Sequence, residues 1–176
     1  MLILQDADHT ELFAQLSAKS LASGPEYLTA GREALVRLLA DPGLLDTVKL
    51  ERRAGGYTRN LVFGDDRITV SAIVWSAGSK TSIHDHHCSC CFAMVSGALQ
   101  ETWYEAVDKT HVVPSREFMR NAGEIACMLP TGPNLHRMFN VSDEEAISIH
   151  IYGYDGRSRA SSIDCEYDVS DPSHSQ

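Results

Sequence analysis

From about residue 57 to residue 167, the chain consists of short segments rich in apolar and β-branched residues, separated by glycine, proline or acidic turns. In Arg67–Trp75 and Ala146–Tyr152 the residues alternate, which is typical of a strand with one buried face. Many short strands with regular turns indicate a small barrel or a sandwich. The predicted strands are Tyr57–Phe63, Arg67–Trp75, Ser82–His87, Cys91–Ser96, Ala98–Glu105, Arg116–Asn121, Ile125–Leu129, Leu135–Val141, Ala146–Tyr152 and Ile163–Tyr167.

The part of the chain before these strands has a helical pattern. Thr10–Ala22 carries apolar residues at helical spacing, and a second helix is predicted from Pro25 to about Ala40. Leu44–Leu50 could add a short third helical turn, and the tail Ser170–Gln176 is expected to be frayed. We therefore predict one mainly β domain over 1–176, with a helical part at 1–50 and a barrel at 55–170.

Composition restricts the class of function. Lys plus Arg number 15 against 24 Asp plus Glu, a formal net charge of −9, which argues against binding to nucleic acid or to an anionic membrane. No apolar run approaches the roughly 20 residues that a membrane helix needs. The N-terminus becomes acidic before a signal-peptide core develops, so we expect a cytoplasmic protein.

Two histidines two residues apart are the strongest sign of a functional site. In a strand, His84 and His86 point to the same face and could reach one metal ion, while Asp85 points the other way. A polar loop that happens to contain histidines is the alternative. His136 and His150 lie in later predicted strands, and a His-x-His pair with one later strand histidine would place three ligands on one wall of a small barrel.

These spacings resemble the two motifs of the cupins. Gly78, His84-x-His86 and Gly97 approximate the first motif, and Pro130–Asn140, with His136, resembles the second. The glutamate ligand usual in cupins is missing, and Cys90 or Cys91 stands in its place. Three neutral imidazoles would leave a divalent iron its full charge and open positions, which suits an anionic, chelating substrate together with O₂.

A longer set of motifs resembles the cysteine dioxygenase family. The set comprises Tyr57-Thr58-Arg59-Asn60-Leu61-Val62, Ser82-Ile83-His84-Asp85-His86, Cys91-Phe92, Gly97 with Glu101-Thr102, Leu135-His136-Arg137, Asn140-Val141-Ser142 and Ser148-x-His150-x-Tyr152. The resemblance implies a cupin-type, jelly-roll-like barrel and an iron(II) thiol dioxygenase, which converts a thiol to a sulfinic acid with both atoms of O₂. It also implies that His84, His86 and His136 are the iron ligands.

The resemblance assigns the substrate carboxylate to Arg59, since a guanidinium offers a planar fork of donors. A strand arginine in a surface salt bridge is the alternative, and Tyr57 could either help or serve only in packing. L-cysteine is the first candidate substrate. Arg157 and Arg159, just after the last motif, could instead clamp a carboxylate from another side, which would favour mercaptosuccinate or 3-mercaptopropionate.

Ser148, His150 and Tyr152 alternate and therefore share one face of a strand. The resemblance implies a hydrogen-bonded row that ends with the tyrosine hydroxyl near iron, so that His150 orients Tyr152 and is not a ligand. A core histidine beside a buried tyrosine is the alternative. Some family members join this tyrosine to a cysteine by a thioether; family spacing counted from His86 points to Cys91, whereas counting back from Gly97 points to Cys90, and Cys91 is preferred.

The chain has five cysteines, an odd number that does not suggest a disulfide framework in a reducing compartment. Cys88 and His87 could line the entrance or be inert. A zinc site made by His87 with Cys88, Cys90 and Cys91 is disfavoured by its tight spacing. Cys127 and Cys165 are expected to be ordinary buried strand residues.

Two further classes of function stay open at this point: a cupin that binds metal without oxygenase activity, and a cupin isomerase. The expected partners are a small thiol and O₂, and the expected state is a monomer or a weak homo-oligomer.

Overall fold

The computed structural model describes residues 7–169 except 20–23, 42, 44 and 47. Two helices precede ten strands. They are α1 (Ala7–Lys19), α2 (Pro25–Leu39), β1 (Tyr57–Gly64), β2 (Thr69–Trp75), β3 (Ile83–His86), β4 (Cys90–Ser96), β5 (Ala98–Ala106), β6 (His111–Asn121), β7 (Ile125–Met128), β8 (His136–Phe139), β9 (Ala146–Tyr152) and β10 (Ile163–Val169).

The mainly β fold class with two N-terminal helices is confirmed. The possible third helical turn does not form in the described residues of 43–50, which make turns and bends. The predicted end of the first helix at residues 20–22 and the tail 170–176 lie outside the described residues. No described helix is long and apolar enough to cross a membrane.

The second helix begins with a proline because the first turn of a helix leaves its N–H groups unpaired anyway. One face of this helix is buried and is spaced for a helix of 3.6 residues per turn, with Tyr27, Ala34, Leu35 and Leu38 inward. This face packs against β4 and β7. The helix therefore covers one side of a sheet.

That sheet has the strand order β1-β2-β9-β4-β7. Because strand side chains alternate, the sheet presents two different apolar faces. The face toward the helices includes Val62, Val70, Ala72, Ile149 and Ile151. The opposite face includes Ile73, Trp75, Phe92, Met94 and Tyr152, and this face bears the site described below.

The other five strands form a closed barrel in the order β10-β3-β8-β5-β6. The last strand closes it, since β10 pairs antiparallel with β3 and parallel with the start of β6. β6 begins at His111 and not at the predicted Arg116. Its first residues pair with β5 through a register shift opposite Pro114, which has no N–H for a regular ladder.

The turn from β4 into β5 requires a glycine. Gly97 has φ +69°, and a Cβ at this position would lie 2.8 Å from the Cβ of Ala146. A side chain here would be strained by the backbone and blocked by its neighbour. The turn fixes where β4 ends, and therefore which β4 residues face the site.

Candidate metal centre and surrounding active site

Three buried histidines converge between β3 and β8. His84 and His86 project from the same face of β3, and His136 lies directly opposite His84 on β8. Each is at most 5% exposed. One ring nitrogen from each of the three lies within 4.8 Å of the others. The two Nε2 atoms of His84 and His86 are 3.1 Å apart, close to the spacing of two ligands that bind one metal at about 2.1 Å.

The hydrogen bonds of two of these rings fix where their lone pairs point. His84 donates its Nδ1–H to the carbonyl of Ser82 at 3.0 Å, and His136 donates its Nδ1–H to Glu101 Oε1 at 2.8 Å. In a neutral imidazole the other nitrogen is then an acceptor. Nε2 of His136 is buried without a hydrogen-bond partner. The Nε2 lone pairs of His84 and His136, together with the nearby His86 ring, therefore form a set of donors that fits a metal ion.

The charge states also favour a metal. Burial, and then the neighbouring His136, lower the pKa of His84 to about 3. Burial is also the largest cause that lowers the pKa of His86. Neutral imidazoles are the form that binds metals. Because their pKa values are lowered, His84 and His86 are neutral at neutral pH.

Behind His136 lies a carboxylate that sequence analysis did not assign to the site. Glu101 on β5 is fully buried, and Arg120 donates to its Oε2 through Nε at 2.7 Å and Nη2 at 2.6 Å. Burial by itself would raise the pKa of Glu101, but His136 and Arg120 outweigh it and hold that pKa below its usual value. The sequence does contain a sign of this role: Glu101 is an acidic residue in register with the apolar Leu99 and Trp103 on the inward side of β5.

A row of hydrogen bonds runs along β9 toward the histidines. Trp75 Nε1 donates to Ser148 Oγ at 2.9 Å, Ser148 Oγ lies 2.8 Å from His150 Nε2, and the Tyr152 hydroxyl lies 3.2 Å from His150 Nδ1. The Tyr152 and His86 rings are 6.0 Å apart. The alternation along β9 predicts the shared face of Ser148, His150 and Tyr152 but not the role of Trp75.

One arrangement of protons satisfies every contact in this row. An indole N–H can only donate, so Ser148 accepts from Trp75, and its own O–H can donate to Nε2 of His150. With that tautomer, His150 carries its proton on Nδ1 and donates it to the Tyr152 oxygen. The hydroxyl proton of Tyr152 is left free to turn toward the cavity, and burial raises the pKa of Tyr152 well above its usual value.

We predict a pH dependence of stability that comes from His150. Burial, then the Arg59 charge, lower the pKa of His150 to about 3 in the folded chain, while an unfolded histidine titrates near 6.5. Between these values the unfolded state binds more protons, so the free energy of unfolding decreases by about 1.4 kcal/mol for each pH unit by which the pH is lowered, from this residue alone. Urea unfolding of metal-free His150→Gln should show a shallower slope than the parent between pH 6.5 and 4. Equal slopes would mean that His150 is protonated in the folded protein.

Arg59 reaches the same cavity from β1. The cavity encloses about 20 Å³, room for about one water, and its lining includes Tyr57, Arg59 and the histidines. The Arg59 guanidinium lies 5.4 Å from the centre of the Tyr57 ring, which packs on Trp75 at 4.9 Å. Among the described residues no carboxylate forms an ion pair with Arg59, so the surface salt bridge considered above does not form there.

The two arginines of the alternative clamp do not line this cavity. Arg157 is 65% exposed and pairs with Asp155, through Nε at 2.8 Å and Nη2 at 3.1 Å. Arg159 is exposed. The loop after β9 supplies its own acid for Arg157, and neither arginine lines the cavity that holds the histidines.

The preference for Cys91 as the neighbour of Tyr152 is wrong. Cys90, not Cys91, lies directly opposite Tyr152 on the adjacent strand and belongs to the same apolar cluster. Cys91 points to the other face of β4, where its Sγ lies 3.8 Å from the carbonyl of Leu28 on α2. The count back from Gly97 is the correct one, because the turn there sets the register of β4.

The remaining thiols occupy separate places. Cys88 is buried and Cys165 is exposed, while Cys127 is partly buried, so the expectation of a buried Cys165 is wrong. His87 Nε2 lies 3.0 Å from the carbonyl of Ser161. In the part of the chain that the structure describes, no cysteine joins His87 in a metal-binding group, so the tight zinc site does not form.

The comparisons with known proteins agree with this geometry. Residues 49–155 match the family model for cysteine dioxygenase type I. The chain is 37% identical to "Cysteine dioxygenase type 1" of Rattus norvegicus over 100 residues, 54% of this chain and 50% of that protein. The protein of the same name from Danio rerio is 34% identical over 102 residues, with the same coverage. The chain thus matches about half the length of these relatives.

Solved structures with a similar backbone share less sequence identity with this chain than these relatives do. A Klebsiella pneumoniae protein with a double-stranded β-helix domain has a TM-score of 0.49 at 18% identity, over 60% of this chain and 84% of that one. A cupin domain from Bordetella pertussis has a TM-score of 0.44 at 17% identity, over 58% of this chain and 98% of that one.

The family match covers more than half of the chain. It also contains the three converging histidines, the Arg59 that faces them, Glu101 and the row that ends at Tyr152. The protein therefore belongs to the cysteine dioxygenase type I family.

Proposed function

We propose that this protein is an iron(II)-dependent thiol dioxygenase that converts a small thiol carboxylate, with L-cysteine the first candidate, to its sulfinate. One observation carries the proposal. Three imidazole nitrogens, a guanidinium without an acidic partner among the described residues, and a tyrosine hydroxyl at the end of a fixed donor row all line one cavity. Each group suits a different part of a thiol carboxylate and its oxidant.

His84, His86 and His136 would hold the iron through their Nε2 atoms. They supply no negative charge, so the ion keeps its full affinity for an anionic ligand. Iron(II) bound there would favour the thiolate form of the substrate and provide a place where O₂ reacts with it. Glu101 and Arg120 would keep His136 in the tautomer whose lone pair points to the ion.

Arg59 would hold the substrate carboxylate. Its planar fork can donate two parallel hydrogen bonds to a carboxylate, and the Tyr57 ring beneath it restricts where the guanidinium can lie. L-cysteine and 3-mercaptopropionate each require one cation, whereas mercaptosuccinate has a second carboxylate, and Arg157 is already paired with Asp155.

Tyr152 would hold a proton above the reacting sulfur. The row from Trp75 through Ser148 and His150 keeps the tyrosine oxygen as an acceptor on one side, so its own proton can point to the substrate. Burial of the hydroxyl keeps this proton on the tyrosine at neutral pH. A donor fixed in advance stabilises developing negative charge without reorganisation.

The decisive experiment compares metals and thiols. Protein loaded with iron(II) under argon is mixed with air and L-cysteine, 3-mercaptopropionate or mercaptosuccinate, and O₂ uptake and sulfinate are measured. We expect one sulfinate per O₂ with iron and none with zinc. Metal binding without O₂ uptake for any thiol would overturn the proposal and favour the metal-binding module or the isomerase.

Glu101→Gln is expected to weaken metal binding without unfolding the protein. Glutamine has nearly the same shape but lacks the charge that orders the Nδ1–H of His136, and such a loss typically costs 10- to 100-fold in metal affinity. Competition with a chelator measures this directly. The exposed Glu105→Gln is the matched control on the same strand, and equal affinities in the two variants would contradict the expectation.

A thioether, if it forms, should join Cys90 to Tyr152. With O₂ as the two-electron oxidant, loss of one hydrogen from the thiol and one from the ring would lower the intact mass by about 2 Da after turnover. We expect Cys90→Ala to abolish this change and Cys91→Ala to retain it. Peptide mapping that finds free Cys90 in fully active enzyme would mean that the protein works without the bond.

The cytoplasmic location, and a monomeric or weakly associated state, remain predictions from the sequence. They do not affect the tests above.

A further inference from the structure

Two cysteines outside the site face each other across β4 and β7. Cys91 and Cys127 are direct antiparallel partners. Such partners have Cα atoms about 4.5 to 5.5 Å apart, and disulfides need about 4.4 to 6.8 Å. Cys90 points to the opposite face of β4, beside Tyr152. Cys90 and Cys91 therefore lie in two separate environments, although they are adjacent in the sequence.

The two thiols converge on one point beneath α2. Sγ of Cys91 lies 3.8 Å and Sγ of Cys127 3.9 Å from the same acceptor, the carbonyl oxygen of Leu28. Both thiols donate to this one oxygen, so the two sulfurs lie near each other. A Cβ at Gly31 would lie only 2.9 Å from Sγ of Cys91, so the glycine of α2 leaves the space that this sulfur occupies.

The pair is asymmetric. Cys91 is fully buried, whereas Cys127 is partly exposed. Arg32 of α2 reaches the same edge and donates to the carbonyl of Ile125 at 3.3 Å. The hydrogen bond from Cys91, and the Arg32 charge, lower the pKa of Cys127 although burial opposes them. The hydrogen bond with Cys127, followed by burial, raises the pKa of Cys91.

We propose that Cys91 and Cys127 form an oxidation site, separate from the metal centre, that a peroxide converts to an intramolecular disulfide. The site takes a small hydroperoxide, H₂O₂ being the simplest, and it depends on neither the metal nor the thiol dioxygenase activity.

The chemistry balances in two steps. The Cys127 thiolate attacks one oxygen of H₂O₂, the O–O bond breaks, and a sulfenic acid forms with loss of hydroxide. The Cys91 thiol then attacks the sulfenic sulfur, the S–O bond breaks, and water leaves as the disulfide forms. The peroxide is reduced by two electrons and the two thiols are oxidised by the same two. The partly exposed Cys127 therefore reacts with the peroxide, and the buried Cys91 reacts with the resulting sulfenic acid.

The test uses the full chain loaded with zinc. The parent protein in this test carries Tyr152→Phe, so that no thioether can form. After H₂O₂ and catalase, free thiols are counted under denaturing conditions and disulfides are mapped in unreduced peptides. We expect a loss of two of the five thiols, a peptide that links Cys91 to Cys127, and recovery of both thiols with a reductant.

Cys127→Ser should stop the rapid loss of both thiols, and Cys165→Ser, at the exposed cysteine of β10, should not. Cys91→Ala, which keeps Cys127, should instead give sulfenic or sulfinic acid on Cys127. The proposal is overturned if the parent protein retains both thiols or forms another disulfide. It is equally overturned if the parent oxidises Cys127 alone, or if Cys127→Ser loses two thiols as fast as the parent. None of these outcomes depends on whether the protein is a dioxygenase.

Discussion

Alanine at His84, His86 or His136 is expected to abolish both metal binding and activity. Each imidazole would supply one of three protein bonds to the ion, and among the described residues no carboxylate joins their group as a reserve. Removal of one ligand also leaves a buried space that water must fill. We expect metal content to fall from about one per chain to near zero after dialysis, and sulfinate formation to fall to the level of the metal-free protein.

Metal analysis and circular dichroism of the same samples separate loss of the ion from loss of the fold. His111→Ala is the matched control, because His111 is exposed at the start of β6 and its ring hydrogen bonds with Asp108 and Thr110, away from the metal centre. If any of the three variants kept one metal per chain and normal turnover, the ligand set would be wrong.

Replacement of Arg59 is expected to have the second largest effect, on the substrate and not on the metal. A substrate carboxylate bound at Arg59 would lose charge-assisted hydrogen bonds worth about 1.5 to 3 kcal/mol, which is about 10- to 150-fold in kcat/KM for Arg59→Ala. Arg59→Lys should lose less, since it keeps the charge and loses the fork. Metal content should stay that of the parent.

Arg157→Ala and Arg159→Ala are controls with the same loss of charge from exposed positions. Both should behave as the parent does in a titration of L-cysteine. If Arg59→Ala behaved as the parent while one of these failed, the carboxylate would be held from the loop after β9. The substrate panel would then need to be repeated for mercaptosuccinate.

Much of the site could be predicted from local patterns. The two-residue period of a strand makes His84 and His86 share a face, and it does the same for Ser148, His150 and Tyr152. Only the backbone is needed for that inference, so the sequence determined both sets before any contact was known.

Partners across strands were decided by the tertiary structure. The sequence allowed Cys90 or Cys91 to face Tyr152, since a shift of one residue exchanges the two faces of a strand. The glycine turn after β4, together with the pairing of β4 with β9, selects Cys90. The same choice sends Cys91 to Cys127, and thereby separates a thiol pair from the metal centre.

Charged partners were also decided by the tertiary structure. Glu101 and Arg120 lie on neighbouring strands and meet behind His136, whereas Arg157 meets an acid of its own loop. An alternating pattern shows that a residue points inward, but it does not show which opposite charge comes to meet it. That depends on strand order, because burial in a low-dielectric interior makes an unpaired charge too costly to remain.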